Sequence, residues 1–150
     1  MKEGYLRLAE MEDMDLIFAW ANEEMARKNS FSTRKITYEE HVIWYRNMLK
    51  NNQCRQYIFM CGDQPVGQAR ITVQGNVAEI GYSICAAQRS KGYGKELLVL
   101  ISKQAWSDFP NINKVIGRVK TDNIASQKVF SAAGYEEAYR TSIASGIVLA

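Results

Sequence analysis

At 150 residues, with 47% apolar and 23% charged residues, the chain has ordinary globular composition and enough length to bury a core without staples. A net charge of +3 is too small to point to nucleic acid, although it suits an anionic small molecule. No apolar run reaches bilayer length and the first residues lack a signal-peptide apolar segment, which argues against a membrane role and makes a cytoplasmic location the default expectation.

In chain order, Tyr5 to Ala9 alternates like a first strand. Acidic residues from Glu10 to Asp15 suit a helix start, and Leu16, Ile17, Ala19, Trp20 and Met25 then recur at helical spacing. A polar interval from Asn29 to Lys35 reads as a loop. Thr37, with Glu40 three residues on, predicts a capping box opening a second helix through Val42, Ile43, Tyr45, Met48 and Leu49. The pattern then changes to strands at Gln56–Cys61, Val66–Val73 and Val77–Cys85, separated by tight Gly-containing turns, which predicts an antiparallel meander. A long helix after Gly94 buries Leu97, Leu98, Ile101 and Ala105 and stops before Pro110. A fifth strand at Lys114–Val119, a short helix from Asn123 to Ala133 ended by Gly134, and two last strands at Tyr135–Thr141 and Ile147–Ala150 complete the chain. Cys54, Cys61 and Cys85 are odd in number and lack metal or redox spacing, so they read as reduced structural residues, and no metal is expected.

The most informative stretch lies between the third meander strand and the long helix: Arg89-Ser90-Lys91-Gly92-Tyr93-Gly94-Lys95. A helix beginning here aims its unpaired N–H groups, with the positive end of its dipole, at whatever fills the turn. Glycines let backbone approach an anion closely, and Arg89, Lys91 and Lys95 add positive charge. A Walker A loop is excluded, because Glu96 follows Gly94-Lys95 and no glycine stands five residues before Gly94. A dinucleotide fingerprint is excluded too, because Leu97 occupies the third glycine position.

Arg89-x-x-Gly92-x-Gly94 after a strand resembles the acetyl-CoA pyrophosphate loop of the GNAT (Gcn5-related) N-acetyltransferase family. The element order β-α-α-β-β-β-α-β-α-β-β resembles that fold over nearly the whole chain, and Asn123-x-x-Ser126-x-x-x-Phe130-x-x-x-Gly134-Tyr135 is similar to its other signature helix. The resemblance implies one α/β (α+β) domain over residues 1–150, with a mixed, mostly antiparallel sheet and four helices. It implies acetyl-CoA as cosubstrate, held by residues 89 to 95, by backbone of Tyr82, Ser83 and Ile84, by Asn123 and by the ring of Phe130. The plainer alternative makes Asn123 a helix cap.

Within that resemblance Ile84 N–H is the oxyanion donor, since amide attack builds negative charge on the thioester oxygen. An alkyl ammonium has a pKa of about 10.4, so its proton must be removed before attack. Glu79, an acid in an otherwise apolar strand, is the candidate base, against the plainer reading of a surface Glu. Relatives place a Tyr general acid where this chain has Phe130, leaving Tyr135, Tyr82 or water to protonate the departing thiolate.

The acceptor side is read from the first two helices. Trp20, Asn22, Arg27 and Phe31, followed by His41 and Trp44, resemble the GNAT branch that acetylates nucleotide-linked amino sugars, with Arg27 facing a diphosphate and aromatic rings stacking on base or sugar. The bland alternative makes the tryptophans core, His41 a packed residue and Arg27-Lys28 solvated charge. Rival functions are acetylation of a protein N-terminus and non-catalytic acyl-CoA binding. A monomer or homodimer, with no nucleic-acid or membrane partner, is expected.

Overall fold

The computed structural model describes residues 3–141 and 146–150. Its strands are β1 (Gly4–Leu8), β2 (Cys54–Cys61), β3 (Gln64–Gln74), β4 (Val77–Ile84), β5 (Lys114–Lys120), β6 (Glu137–Thr141) and β7 (Gly146–Leu149). Its helices are α1 (Met14–Ala21), α2 (Glu24–Lys28), α3 (Tyr38–Lys50), α4 (Tyr93–Asp108) and α5 (Ile124–Ala132). The strands form one sheet in the order β1-β2-β3-β4-β5-β7-β6. Every neighbouring pair is antiparallel except β4 with β5. That parallel pair needs a crossover, and α4 supplies it. No helix among the described residues is long and apolar enough to cross a membrane.

The two faces of the sheet are covered unequally. On one face α4 and α5 close a large core, in which Leu97, Leu98, Ile101 and Ala105 meet Phe59, Ile71, Ile80 and Val115. On the other, α1 and α3 cover the β1–β2 end through a smaller cluster of Ile17, Tyr45, Met48, Ile58 and Met60. Beyond β2 this second face carries alternate residues of β3 and β4, namely Gln68, Arg70, Thr72, Glu79, Gly81 and Ser83, none of them buried. Period-two alternation makes this half of the sheet the floor of a cleft rather than a core.

Five helices stand where the sequence predicts four, because the first is broken at Asn22–Glu23. Glu23 is extended (φ −62°, ψ 143°) and its carboxylate accepts from the N–H groups of Met25 at 2.7 Å and Ala26 at 3.4 Å. A new N-cap inside a continuous apolar pattern restarts the helix on another axis. The predicted capping box at α3 is half made: Thr37 accepts from Glu40 N–H at 3.2 Å, but the Glu40 carboxylate pairs with Arg34 at 3.0 Å.

One ion pair fixes the entry to α1. Buried Asp13 takes both carboxylate oxygens to Arg7 at 2.8 Å and also accepts Glu10 N–H at 2.8 Å. The bond to Arg7 holds the Asp13 carboxyl below its ordinary range. A folded-state pKa below the unfolded one gives stability that is complete above about pH 4 and disappears as pH falls through the folded value. Arg7→Ala, which leaves the carboxylate unpaired, costs about 2 kcal/mol at neutral pH. Urea melts at pH 7 and pH 3 check both statements, with a smaller difference between variant and parent at the lower pH.

Candidate active site

The site begins where two strands part. β4 and β5 pair in parallel from Val77 opposite Lys114 to Ile80 opposite Gly117, and there the ladder ends. β4 runs on to Ile84, while the last four residues of β5 pair with β7 on their other side. Cys85 N–H donates to Val66 O at 2.9 Å, and the register then assigns Ser83 and Gly81 to β3. By alternation, the N–H groups of Tyr82 and Ile84 face the opening between β4 and β5. Buried amides so freed require a partner, and an extended ligand with carbonyl oxygens supplies one.

The floor of that wedge is apolar. Phe130 of α5, 2% exposed, packs against β5 at Gly117, where an added methyl group would overlap its ring. Its edge meets Tyr82 at 5.8 Å and Tyr135 at 5.0 Å between centroids. The Tyr82 hydroxyl exchanges a hydrogen bond with Ser126 Oγ at 3.0 Å, and burial pushes its pKa up. Gly94 passes directly over this group, since a Cβ there would touch Val129 and Tyr82 at 3.5–3.6 Å.

The end of β4 leads through a 3-10 turn at Ala86–Gln88 to Arg89, Ser90, Lys91 and Gly92, the N-cap of α4. Ser90 (φ 64°) and Gly92 (φ 82°) both take the left-handed conformation, which curls the chain so that its amides converge ahead of the helix. Lys91 and Lys95 are exposed beside it, and the Tyr93 ring turns inward, edge-on to Phe59.

Arg89 does not stand with the lysines. Its guanidinium donates to Ile84 O at 3.1 Å and pairs with Glu23, whose carboxyl it holds below the usual range. The side chain is thus a tie between the end of β4 and the start of α2, with only its Nη1 unengaged among the described residues. Asn123 caps α5, accepting Ser126 N–H at 3.2 Å. Tyr135 is misplaced for acid catalysis: it is 8% exposed, its hydroxyl meets Ser102 of α4 inside the core, and burial raises its pKa. The sequence gives no sign of this, because Ser102 becomes its neighbour only when α4 packs on the sheet.

Of the acceptor-side residues, most hold the fold. His41 is 3% exposed with Nε2 bonded to Met14 O at 2.9 Å, and burial lowers its pKa. Asn22 makes two bonds to the backbone of Ile36, at 2.7 and 2.8 Å. Arg27 donates to the carbonyls of Ala21, Ser32 and Arg34 and to Ser30 Oγ, so the residue expected to face a diphosphate instead binds together the loop after α2. Trp20 packs against the smaller core. Phe31 is exposed on the loop, and Trp44, 37% exposed, leans over the open half of the sheet.

Two residues of that open half escape a reading by motif. Arg70 of β3 sits 4.9 Å above the Trp44 ring and has no carboxylate partner among the described residues. Arg118 of β5 donates to Glu79 at 2.8 Å, so the candidate base is a half-exposed, ion-paired carboxylate at the cleft and not one sunk in an apolar strand. The signal for both was the polar alternation of β3 and β5, which becomes a surface only once the strand register is known.

A parted strand pair, a glycine-capped helix start and an open floor define an acyl-CoA-binding transferase site. The sequence matches the family profile described as Acetyltransferase (GNAT) domain over residues 5–136, and the chain belongs to that family. It is therefore an acetyl-CoA-dependent acetyltransferase. Curated proteins give no significant sequence match. Solved structures show the same fold. The aminoglycoside acetyltransferase AAC(6')-Ib in complex with ribostamycin and coenzyme A superposes with TM-score 0.86 at 20% identity, covering 98% of this chain and 91% of the other. Spermidine N-acetyltransferase from Vibrio cholerae, with CoA and spermine, gives 0.85 at 16% identity, covering 98% and 92%. A domain from Methanocaldococcus jannaschii gives 0.86 at 19% identity, covering 100% and 99%.

Proposed function

We propose that the chain acetylates the amino group of a nucleotide-linked amino sugar, by direct attack of the free amine on acetyl-CoA in a ternary complex. The observation that carries the acceptor class is Arg70 over Trp44: an aromatic plane and an uncompensated guanidinium side by side on the open floor, suited to a base or sugar face and to a phosphate. Lys28, Lys35 and Lys120 add positive charge around α2 and the end of β5. Two acids that a polycation such as spermine or an aminoglycoside would use, Glu79 and Glu23, are already matched to arginines.

In this reading the diphosphate of coenzyme A sits on the amides ahead of α4, with Lys91 and Lys95 beside it, and the pantetheine arm enters the wedge along Tyr82 to Ile84. The thioester oxygen takes the N–H of Ile84, an interaction worth about 3 kcal/mol in a preorganised site. Glu79 receives the proton of the incoming ammonium. Five residues of strand, about 16 Å, separate Glu79 from Ile84, beyond the reach of one bridging water, so the proton is handed along a chain of waters in the open half of the sheet. Coenzyme A leaves as the thiol, protonated by solvent, since a thiol pKa of about 8.5 demands no strong acid.

Coenzyme A release with a panel of amines tests the acceptor: a UDP-linked amino sugar, spermidine, kanamycin and a short peptide with a free N-terminus. Turnover of the sugar nucleotide is expected, falling about tenfold or more in kcat/KM in Arg70→Ala with the KM for acetyl-CoA unchanged. Preference for spermidine or kanamycin sinks the anionic acceptor, and preference for the peptide favours N-terminal acetylation.

A further inference from the structure

The open floor borders one buried group that the fold alone does not account for. Gln56 of β2 is 2% exposed, directly beneath the α3 side of the sheet. Its Nε2 donates to Gln68 Oε1 at 2.7 Å, while its own Oε1 has no hydrogen-bond partner among the described residues. A buried carbonyl oxygen without a partner destabilises a fold, and an apolar residue of the same shape is neutral or better. Packing therefore gives no reason for glutamine at position 56. The bond to Gln68 does.

Gln68 stands opposite Ser83 in the β3–β4 register, one pair short of Ile84, and on the same face as Arg70. Two residues of strand place it about 7 Å from Arg70 along β3, which is the span of one sugar ring. A half-buried glutamine side chain has several rotamers, and losing them on binding weakens a ligand. Anchored by Gln56, the Gln68 carboxamide makes no other side-chain hydrogen bond among the described residues, and it stands on the open face one register pair from Ile84.

We infer that Gln68 hydrogen-bonds the acceptor beside its reacting amine, and that Gln56 is a positioning residue that fixes Gln68 for this at a cost to stability. The inference rests on the open floor being the acceptor site. It adds to the Arg70 assignment a second contact, to a hydroxyl or carbonyl group next to the nucleophilic nitrogen. Arg70 then holds the anionic part and Gln68 the reacting part.

Gln56→Leu, Gln68→Leu and the double variant test it, with melting temperature, KM for acetyl-CoA and KM for the UDP-linked amino sugar as readouts. Gln56→Leu is expected to melt about 2–4 °C higher than the parent, as loss of the unpaired oxygen predicts. Its KM for the sugar nucleotide is expected to rise about tenfold, with KM for acetyl-CoA unchanged. The double variant should be no worse in acceptor KM than Gln68→Leu alone, because Gln56 acts only through Gln68. A lower melting point for Gln56→Leu, or an unchanged acceptor KM in either single variant, overturns the inference while leaving the proposed function standing. A parent enzyme that releases no coenzyme A with the sugar nucleotide but does so with another amine of the panel overturns the proposed acceptor; the KM test then runs on that amine and decides the role of the glutamines separately. Release with none of the four overturns both.

Discussion

Glu79→Gln is expected to lower kcat by about 10²-fold while KM for acetyl-CoA stays at the parent value. The reason is the acceptor's own chemistry: an alkyl amine of pKa about 10.4 is almost wholly protonated at neutral pH, and only the free base attacks. A carboxylate at the cleft that accepts the proton, through water, contributes in the range typical of general bases. Glutamine keeps the shape and a hydrogen bond to Arg118 but cannot take a proton. The exposed ion pair with Arg118 holds little stability, so the fold is retained. A pH series separates this role from a structural one. Without a base, the rate of the variant climbs about tenfold per pH unit toward the amine pKa, and the gap to the parent closes. Equal kcat at pH 7, or a gap that stays constant with pH, assigns the proton transfer to another group.

Gly92→Val is expected to weaken acetyl-CoA binding by about tenfold or more. Gly92 has φ 82°, where a β-branched residue is a steric outlier. The strain is of order 1–2 kcal/mol, and a loop relieves it by turning its peptide planes, which carries the amides ahead of α4 away from the diphosphate. The side chain itself meets nothing, since no heavy atom lies within 4 Å of a Cβ built there. Any loss therefore comes from backbone direction or from a side chain standing where the diphosphate approaches, and not from a Cβ clash within the fold. Gly75→Val is the matched control, with φ 63° and open space, but in the β3–β4 turn. Calorimetric titration with coenzyme A should find the affinity reduced in the first variant and preserved in the second. Equal affinities would remove the diphosphate from the start of α4.

The elements legible in the sequence are those whose pattern is local. β2, β3 and β4 alternate or run apolar between Gly-containing turns, and α4 shows its buried stripe from Leu97 to Ala105. Gly92 and Gly94 mark the turn ahead of α4 because only backbone conformation and close approach call for glycine there. The break between α1 and α2 is hidden, since Glu23 caps a helix inside an unbroken apolar rhythm. Arg27, Asn22 and His41 look like ligand-binding side chains for a similar reason: their partners are backbone carbonyls or amides that no sequence pattern announces. Arg70, Arg118, Gln56 and Gln68 required the register of a four-strand run before they could be seen as one surface. What is least legible is thus the acceptor side, built from side chains that meet across strands far apart in the chain.

The contact from Arg89 to both Ile84 and Glu23 gives the two halves of the cleft a common hinge pin. The turn ahead of α4, the end of β4 and the start of the short helix α2 are fastened to a single guanidinium. A shift of any one is felt across the cleft through a rigid planar group instead of being absorbed by a slack loop.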